Sequence, residues 1–456
     1  MSVDMSKHFS TSALIRFTLP TIAMMIFTSC YTIVDGFFVS NYAGKTALAA
    51  VNLIVPAVMI LASVGMMIGT GGSALVAKTL GEGDRPRARR HFSLLVGFAF
   101  VVGSVLAIGG WFFMEPTAAF LGATGQMAAD ATLYGRMMMI SLPFFILQYA
   151  FQSFFVTAGK PKYGFFVIVV AGVTNILLDF LFVGVFGWGL VGAALATNIG
   201  ELIGGGIPLV YFARKRSTHL YFVRPHLRWP VIGKACLNGS SEMVTNIAMS
   251  LVGILYNWQL LRFIGEDGVA AYGVIMYTVM IFSAVFMGYA VGTSPLMSFQ
   301  YGAQNHTEMR SLLWKSLGLI AVASVVMFLL GQSLAAPLSA IFVSYDAALL
   351  ELTVSAYKLY ALCFLFMGFA MYASAFFTAL NNGLVSALIS FLRTLVFQVA
   401  AVIVLPMLFG IDGIWLSVTV GDALTCLVAA TFMIALSGRY GYRKGGLKAA
   451  KGTEAA

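Results

Sequence analysis

The sequence predicts an all-α polytopic membrane protein whose twelve transmembrane helices form two pseudo-symmetric six-helix lobes. Of its 456 residues, 60% are hydrophobic and only 10% are charged, and the mean hydropathy is +0.92. Soluble domains carry about 25% charged residues. Long apolar segments recur along the whole chain, and residues 31–201 repeat as 252–422 without a gap. Composition, segment length and the repeat therefore all indicate a duplicated membrane protein.

Twelve apolar segments are long enough to cross a membrane, since a helix needs about 20 apolar residues to span the hydrocarbon core. The N-terminal residues lack a short apolar core followed by a small-residue cleavage site. We therefore expect the first segment to be a retained helix and not a signal peptide. The predicted helices lie at about 13–38, 47–77, 91–113, 133–157, 163–186, 190–212, 235–262, 268–298, 312–333, 354–379, 384–408 and 413–437.

Positively charged residues predict the orientation of these helices. Lys and Arg cluster in alternate connections, such as 78–90 and 214–234, whereas the opposite connections hold few of them. Because positive residues are retained on the cytoplasmic side, both termini are predicted to be cytoplasmic in a multi-pass plasma (inner) membrane protein. The six tryptophans fall near predicted helix ends, where an aromatic ring prefers the headgroup level.

Two lobes and a polar, basic connection make up the predicted domains. The first lobe comprises 1–218 with helices 1–6, and a cytoplasmic linker covers 219–234. The second lobe comprises 235–437 with helices 7–12, and a basic cytoplasmic tail covers 438–456. Each half has an even number of spans, so the halves are related by an axis along the membrane normal. The charge run of the linker is interpreted as a solvated loop that faces lipid headgroups.

The repeat holds the same glycines and prolines in register over about 170 positions, which chance apolar similarity would not do. A membrane protein built from two such halves is typical of alternating-access transporters. The matched pairs include Gly71/Gly292, Gly81/Gly302, Pro116/Pro337, Gly189/Gly410, Gly200/Gly421 and the acidic pair Glu201/Asp422.

Several polar groups lie inside predicted spans at one depth. Asp35, Asp179 and Thr197 all fall roughly 9–11 Å below the outer surface by helical rise, and Asn175 shares a helix face with Asp179. Oxygen donors of this kind suit Na⁺, and two adjacent carboxylates can equally share one proton. The alternative is four separate residues that satisfy hydrogen bonds between helices. The shared depth favours a cation site.

The second half provides an internal comparison for that site. The positions that correspond to Asp35, Asn175, Asp179 and Thr197 hold Tyr256, Val396, Ala400 and Val418. A purely structural network would be expected to persist in both halves. The sequence therefore predicts a cation site in the first half alone.

These features resemble the multidrug and toxic compound extrusion (MATE) family over almost the whole chain. The resemblance is carried by the twelve spans in two halves and by AVNLIVP (50–56), GEGD (81–84) with RPRARR, GEDGVAAYGVIMY (265–277) and YGAQN (301–305). It implies a V-shaped, two-lobed fold and a first-lobe cation site formed by an Asp, then an Asn and an Asp four residues apart, then a Thr eighteen residues further on. Asp35, Asn175, Asp179 and Thr197 match in type and spacing. Pro20 occupies the position of a proline that is associated with bending of helix 1.

Another branch of the family uses carboxylates on helices 7 and 10. Ser250 lies where that branch has its helix-7 glutamate, and the segment 354–379 contains no acidic residue. Coupling through the second lobe is therefore not expected.

Four further charged residues lie inside predicted spans and are candidates for substrate contact or gating. Arg393 and Asp422 both come near the midplane, where they would either form an ion pair or contact a substrate. Glu201, the repeat partner of Asp422, has no cationic residue near it in its own half. Glu242 would either contact a cationic substrate or lie in a water-exposed helix mouth.

The sequence thus predicts a secondary active antiporter that exports amphipathic, cationic drugs or toxic organic compounds in exchange for Na⁺ or H⁺. No GxxxxGK[ST] segment is present, so ATP is not expected to be the energy source. We expect no cofactor, no metal beyond Na⁺ and no nucleic-acid partner, and a monomer that contacts membrane lipid and small organic substrates. A flippase for lipid-linked precursors with the same two-lobed fold is the alternative. A membrane-embedded enzyme is a more remote alternative, because the five histidines form no metal or nucleophile motif.

Overall fold

The computed structural model describes residues 5–39, 42, 45–215, 219–344 and 346–442, and its secondary structure in these ranges is helical throughout. Twelve helices are long and apolar enough to cross a membrane, which confirms the predicted fold class. Residues 443–456 of the predicted tail lie outside the described ranges. In chain order the helices are α1 Thr11–Phe38, α2 Thr46–Gly81, α3 Arg85–Phe120, α4 Gly125–Thr157, α5 Pro161–Val185, α6 Gly189–Ala213, α7 Trp229–Phe263, α8 Glu266–Gly302, α9 His306–Val343, α10 Ala347–Ala379, α11 Gly383–Phe409, α12 Ile411–Ala435 and the short α13 Ser437–Tyr440.

Several helices extend beyond the apolar segments that predict them. α7 begins at Trp229, six residues before the predicted start, with Pro230 in its first turn, where a missing N–H and a fixed φ are tolerated. α9 begins at His306 behind the cap of Asn305, whose side chain accepts a hydrogen bond from the Glu308 N–H at 3.1 Å. Capping and turn chemistry, and not hydrophobicity, decide where these helices begin.

Each lobe is built around one central helix. α4 in the first lobe and α10 in the second are the most buried of the twelve, and the repeat relates them to each other. In the first lobe, α2, α3 and α6 all pack against α4. The two lobes therefore share one packing plan as well as one sequence pattern.

The lobes meet along two symmetry-related seams, α1 against α8 and α2 against α7, while α2 and α8 also cross. At that crossing a methyl group on Gly81 would overlap the carbonyl oxygen of Phe299, and one on Gly302 would overlap that of Lys78. Lys78 and Phe299 are themselves repeat partners. The paired glycines of the repeat are thus explained by a close backbone crossing at the pseudo-symmetry axis.

We call the end of the molecule that carries residues 219–228 the linker end. Hydrogen bonds join the lobes there, from Ser298 Oγ to the Ala74 carbonyl at 2.5 Å and from Gln300 Nε2 to the Met5 carbonyl at 2.8 Å. Nearer the middle of the helices, Ser29 Oγ donates to the Met280 carbonyl at 3.3 Å. The lobes are thus joined by hydrogen bonds both at the linker end and nearer the middle of the helices.

The segment before α1 also binds the opposite lobe. Glu308 at the start of α9 accepts hydrogen bonds from the Phe9 N–H at 3.0 Å and pairs with His8 Nδ1 at 2.6 Å. Lys315 donates to the Phe9 carbonyl at 2.6 Å. α1 is consequently attached to the second lobe through the residues just before its start at Thr11, although the helix belongs to the first lobe.

Two helices contain a π-helical turn next to a charged side chain. In α5 the turn Phe180–Val185 follows Asp179 directly, and in α11 the turn Leu392–Gln398 contains Arg393. Wide turns of this kind inside α-helices are frequent at functional sites. Both charged residues therefore lie where the helix changes its side-chain register.

Candidate functional site

The first lobe encloses a cavity of about 100 Å³ between α1, α2, α4, α5 and α6. Its walls carry most of the polar residues that the sequence singled out, namely Asp35, Asn175, Thr197 and Glu201, together with Tyr31. The volume suits an ion and a few water molecules, each of which takes about 30 Å³. It is about a third of the volume at the lower end of the range that is typical of pockets for drug-sized ligands, roughly 300–1,000 Å³.

Asp35 and Asp179 approach each other across this site. Asp35 lies three residues before the end of α1, and Asp179 is the last residue of the α-helical part of α5. The Asp179 side chain is fully buried, and the two carboxyl groups are close enough for their charges to interact. No Lys, Arg or His in the described residues forms an ion pair with either of them.

Four acceptor oxygens at this site are buried and lack a hydrogen-bond partner within the described part of the chain. They are Asp35 Oδ1, Asn175 Oδ1 and both carboxylate oxygens of Asp179. The Asn175 amide is oriented by its Nδ2, which donates to Thr197 Oγ1 at 3.5 Å, while Thr197 Oγ1 donates to the Ala193 carbonyl at 3.1 Å. The structure therefore brings together all four residues that the sequence predicted.

Glu201 lies on α6 at the same cavity and is 6% exposed. Its carboxylate accepts a hydrogen bond from Ser141 Oγ at 2.5 Å, and Ser141 Oγ also lies 2.7 Å from Asn198 Oδ1. In the ranges that the structure covers, Glu201 forms no ion pair. The first lobe thus holds three carboxyl groups near one small cavity.

Pro20 is distant from these oxygens. It lies inside the continuous helix α1, fifteen residues before Asp35, and does not line the cavity. α1 packs on α5 within its own lobe and on α8 of the other. Pro20 thus lies in a helix that contacts both lobes and does not line the first-lobe cavity.

The second lobe contains a larger cavity, of about 250 Å³. Its lining is apolar and adaptable, with two charged side chains, Glu242 and Arg393, on its walls. Tyr272 stacks on Tyr256 with ring centroids 4.9 Å apart and an interplanar angle of 8°. The lining methionines, whose flexible thioethers fit irregular ligands, are Met249, Met276, Met287, Met367 and Met371.

Arg393 and Asp422 form an ion pair behind this cavity wall. Arg393 Nε donates to Asp422 Oδ1 at 2.7 Å and Nη2 donates to Oδ2 at 3.3 Å, a two-point contact. Asp422 is fully buried, whereas 12% of the arginine side chain remains accessible. Of the two interpretations open from sequence, the geometry supports mutual neutralisation.

Glu242 has no such partner. No ion pair within 4.0 Å includes it among the residues that the structure describes, and the Asn246 amide donates to its backbone carbonyl, not to its carboxylate. α7 begins at Trp229, so Glu242 lies about 20 Å along the helix from its first residue. Its carboxyl group therefore lines the cavity without an ion-pair partner within 4.0 Å among the described residues.

The repeat partners of the cation-site residues are either apolar or, in the case of Tyr256, already hydrogen-bonded. Tyr256 is buried and donates its hydroxyl to the Ile414 carbonyl at 2.6 Å. Val418 is also buried, and Val396 and Ala400 have no polar side-chain atom. At these four described positions, the second lobe consequently has neither a carboxylate nor an amide side chain.

Comparison with known proteins agrees with this architecture. The family model MatE matches residues 20–181 and again residues 243–404, once in each lobe. The chain belongs to the MATE family.

Curated relatives of the MATE chain are named as exporters. "Multidrug export protein MepA" from Staphylococcus saprophyticus is 24% identical over 431 residues, which is 93% of each chain. The protein of the same name from Staphylococcus aureus strain MRSA252 is 23% identical, again over 93% of each chain. Both relatives are export proteins, and the MATE chain is correspondingly a multi-pass membrane transporter and not an enzyme.

Solved structures share the fold. A crystal structure of MATE in complex with MaL6 superposes with a TM-score of 0.90 at 20% identity, covering 95% of this chain and 97% of the other. An outward-facing multidrug resistance MATE transporter of the MOP superfamily gives a TM-score of 0.87 at 21% identity, with the same coverage. The two-lobed, twelve-helix architecture is therefore that of the MATE fold.

Sequence reasoning missed several polar residues of the first-lobe site, two of which lie on α4. Ser141 donates to Glu201, and Gln148 lines the cavity with an amide oxygen that is buried and unpaired. Both lie on α4, whose predicted span contains one charged residue only, at its outer end. Single uncharged polar residues in a long apolar segment are too common to indicate a site, although their spacing of seven residues places them on one helix face.

Proposed function

We propose that this MATE transporter is a secondary active antiporter that exports amphipathic, cationic drugs or toxic organic compounds in exchange for Na⁺ or H⁺. Its relatives are named multidrug export proteins, and this supports the substrate class. The proposed setting is the plasma (inner) membrane with both termini cytoplasmic. The transporter acts as a monomer among lipids, without ATP, nucleic acid or a cofactor.

One observation carries the exchange mechanism: the partnerless acceptor oxygens of Asp35, Asn175 and Asp179. A buried acceptor without a donor costs on the order of 1–3 kcal/mol, and a buried unpaired charge costs more. Adjacent carboxylates also repel each other. A cation or a proton among these oxygens removes both penalties, so this cluster, with the Thr197 hydroxyl at its edge, is the proposed site of the coupling ion.

Ion binding can drive export only if the two lobe arrangements differ in affinity for the ion. Asp35 moves with α1, and α1 contacts both lobes. When the Asp35–Asp179 repulsion is neutralised, α1 can bend toward α5 and narrow the first-lobe cavity. Pro20 facilitates that bend because proline lacks a backbone N–H and weakens the helical ladder around it.

The second-lobe cavity is the proposed place for the organic substrate, since it is more than twice as large as the first. Glu242 there would be the counter-ion of the substrate's positive group, and the lining methionines and tyrosines would contact its apolar body. The guanidinium of Arg393 is held by Asp422, so the wall has a net negative charge. That charge favours an organic cation over the anionic pyrophosphate of a lipid-linked precursor.

The seams between the lobes suggest which way the substrate cavity opens. With the linker end assigned to the cytoplasm, the close crossing at Gly81 and Gly302 closes the cytoplasmic side. We infer that this conformation faces outward. Alternating access then requires the two symmetry-related seams to part at this end while the opposite end closes.

Efflux from proteoliposomes tests the function. Purified protein is reconstituted with ethidium as the cationic probe, and Na⁺ and pH gradients are imposed separately and together. We expect one of the two gradients, or both, to accelerate ethidium movement at least several-fold over liposomes without gradients. Ethidium movement that is indifferent to both gradients would reject ion-coupled export.

A further inference from the structure

A third cavity lies at the linker end, outside both sites described above. It measures about 300 Å³ and is predominantly polar, between the first turns of α3 and the segment that joins the lobes. Five of its six lining residues are arginines or histidines. They are Asp84, Arg87, Arg90, His91, His226 and Arg228.

The joining segment is held against α3 by specific contacts and is not a loosely solvated loop. The Val223 N–H donates to Ser93 Oγ at 2.9 Å, and the Phe222 ring stacks on Phe92 with centroids 5.2 Å apart and planes 7° apart. Arg89 Nη1 donates to the Tyr221 hydroxyl at 2.9 Å. These contacts fix the backbone just before His226 and Arg228 and so place the two residues opposite α3.

The positive charges in this cavity are largely uncompensated. Asp84 is the only carboxylate on its walls, and it caps α3 by accepting the Arg87 N–H at 2.9 Å. Arg87 has Glu82 at 4.0 Å, but neither Arg90 nor Arg228 has a carboxylate within 4.0 Å in the described ranges. Three guanidinium groups that converge around one cavity repel each other unless water or an anion separates them.

His91 provides the second, independent observation. It lines the cavity, is only 5% exposed, and its Nδ1 has no hydrogen-bond partner among the described residues. A buried imidazole nitrogen without a partner is unfavourable, and a ligand oxygen or a water that enters with it would satisfy this group. His91 is the seventh residue of α3, so it lies nearly two turns from the start of the helix at Arg85.

We propose that this cavity binds a phosphate group, supplied either by an anionic lipid headgroup or by a soluble phosphate. Planar guanidiniums match the oxygens of phosphate in pairs, and Arg90 and Arg228 hold it from opposite walls. A phosphate held there ties the joining segment to the first lobe. The site is independent of drug export and of the coupling ion.

Thermal unfolding of the full chain in lipid nanodiscs tests the site. Inorganic phosphate is titrated against chloride at matched ionic strength in neutral phosphatidylcholine discs, where we expect Tm to rise by about 1–3 °C. Arg90→Gln/Arg228→Gln should lose that rise. Arg85→Gln/Arg224→Gln, which removes the same charge from the same two segments but leaves the cavity walls intact, should keep it. His226→Gln is the second test variant should the first pair fail to fold, and it should reduce the rise.

A general stabilising effect of phosphate on proteins would appear equally in all variants, and that result would overturn the proposal, as would the absence of any rise in the wild type. Discs that contain phosphatidylglycerol separate the two sources. If lipid fills the site, wild-type Tm is already higher in these discs and added phosphate changes it no further. If soluble phosphate is the ligand, the rise is the same in both kinds of disc.

Discussion

Glu201 and Asp422 occupy the same position in the two lobes, yet their surroundings differ. Asp422 is paired with Arg393, whereas Glu201 accepts a hydrogen bond from Ser141 and forms no ion pair within the described residues. The repeat partner of Arg393 is Gly172, where a side chain would collide with the rings of Phe27 and Tyr31 on α1. In the first lobe, α1 thus fills the space whose counterpart in the second lobe holds the side chain of Arg393.

That difference leaves the first-lobe carboxyl groups without an ion-pair partner in the described part of the chain, and in our proposal a mobile cation or a proton neutralises them. The second lobe instead pairs Asp422 with Arg393. The second lobe keeps one unpaired carboxylate, Glu242, but places it in a larger and more apolar cavity. The two copies of the repeat therefore hold two kinds of cavity. One is small and lined by oxygen atoms, and the other is larger with an adaptable, mostly apolar lining. The five predictions below test this division, from the largest expected effect to the smallest.

Asp35→Asn should abolish ion-coupled ethidium export while folding and membrane insertion remain largely intact. The amide keeps hydrogen-bonding capacity but cannot carry the charge that a coupling ion neutralises. Efflux from proteoliposomes under the effective gradient measures the effect, and the elution profile of the purified protein controls for folding. Wild-type rates from this variant would remove Asp35 from the mechanism.

Arg393→Met should destabilise the protein by about 3–5 kcal/mol, because it leaves the Asp422 carboxylate buried without its partner. Arg393→Met/Asp422→Leu should recover most of that loss, since replacement of a buried pair by apolar residues is often neutral. Thermal unfolding of both variants and of the wild type provides the measurement. Equal stability of the two variants would show that the pair is not coupled.

Glu242→Gln should weaken ethidium binding roughly tenfold, which corresponds to ~1.4 kcal/mol. The uncharged ring system 3,8-diamino-6-phenylphenanthridine should bind wild type and variant alike, because it has no positive charge for Glu242 to attract. Glu351→Gln, at an exposed carboxylate away from the cavity, is the matched control. Equal ethidium affinity in Glu242→Gln and Glu351→Gln would place the substrate elsewhere.

Pro20→Ala should lower turnover several-fold and leave substrate affinity nearly unchanged. Proline is about 3 kcal/mol less favourable than alanine inside a helix, so the substitution stabilises the straight form of α1 against bending. Initial rates and half-saturation in the same efflux assay separate the two quantities. The hinge would be excluded by unaltered turnover under both Na⁺ and pH gradients.

Tyr256→Phe and Val418→Ala should leave the ion dependence of export unchanged. They alter the repeat partners of Asp35 and Thr197, where the second lobe has neither a carboxylate nor an amide side chain. Tyr256→Phe loses a buried hydrogen bond to the Ile414 carbonyl, so a loss of about 1 kcal/mol in stability is expected without a change in coupling. A shift in ion dependence as large as that of Asp179→Asn would show that coupling extends into the second lobe.

Much of this arrangement could be predicted from the sequence, because hydrophobic segments and a gap-free repeat report directly on membrane helices. The first-lobe cluster could also be predicted, since Asp35, Asn175, Asp179 and Thr197 differ in kind from their partners in the other half. Their convergence follows from packing of α1 on α5 and α6 on α5, which the depth argument anticipated.

Other features depend on three-dimensional neighbours that sequence patterns do not encode. The contact of Arg393 with Asp422 joins residues 29 positions apart on different helices, and the sequence alone favours an ion pair but leaves a substrate contact as the alternative. The sequence predicts that the charge run before α7 is solvated. The stacking of Phe222 on Phe92 orders this segment, and a tertiary contact of this kind cannot be seen in a sequence pattern. Likewise, the start of α7 at Trp229 depends on local turn chemistry and not on apolar periodicity.

Equilibrium binding of the coupling ion to purified protein tests the division between the lobes most directly. Once the gradient assay has identified the ion, ²²Na⁺ binding or proton uptake is measured for wild type, Asp35→Asn/Asp179→Asn and Glu242→Gln. The account predicts that the first-lobe double variant loses ion binding and that Glu242→Gln retains it in full. Retained binding in Asp35→Asn/Asp179→Asn, or its loss in Glu242→Gln, would contradict the assignment of the ion site to the first lobe.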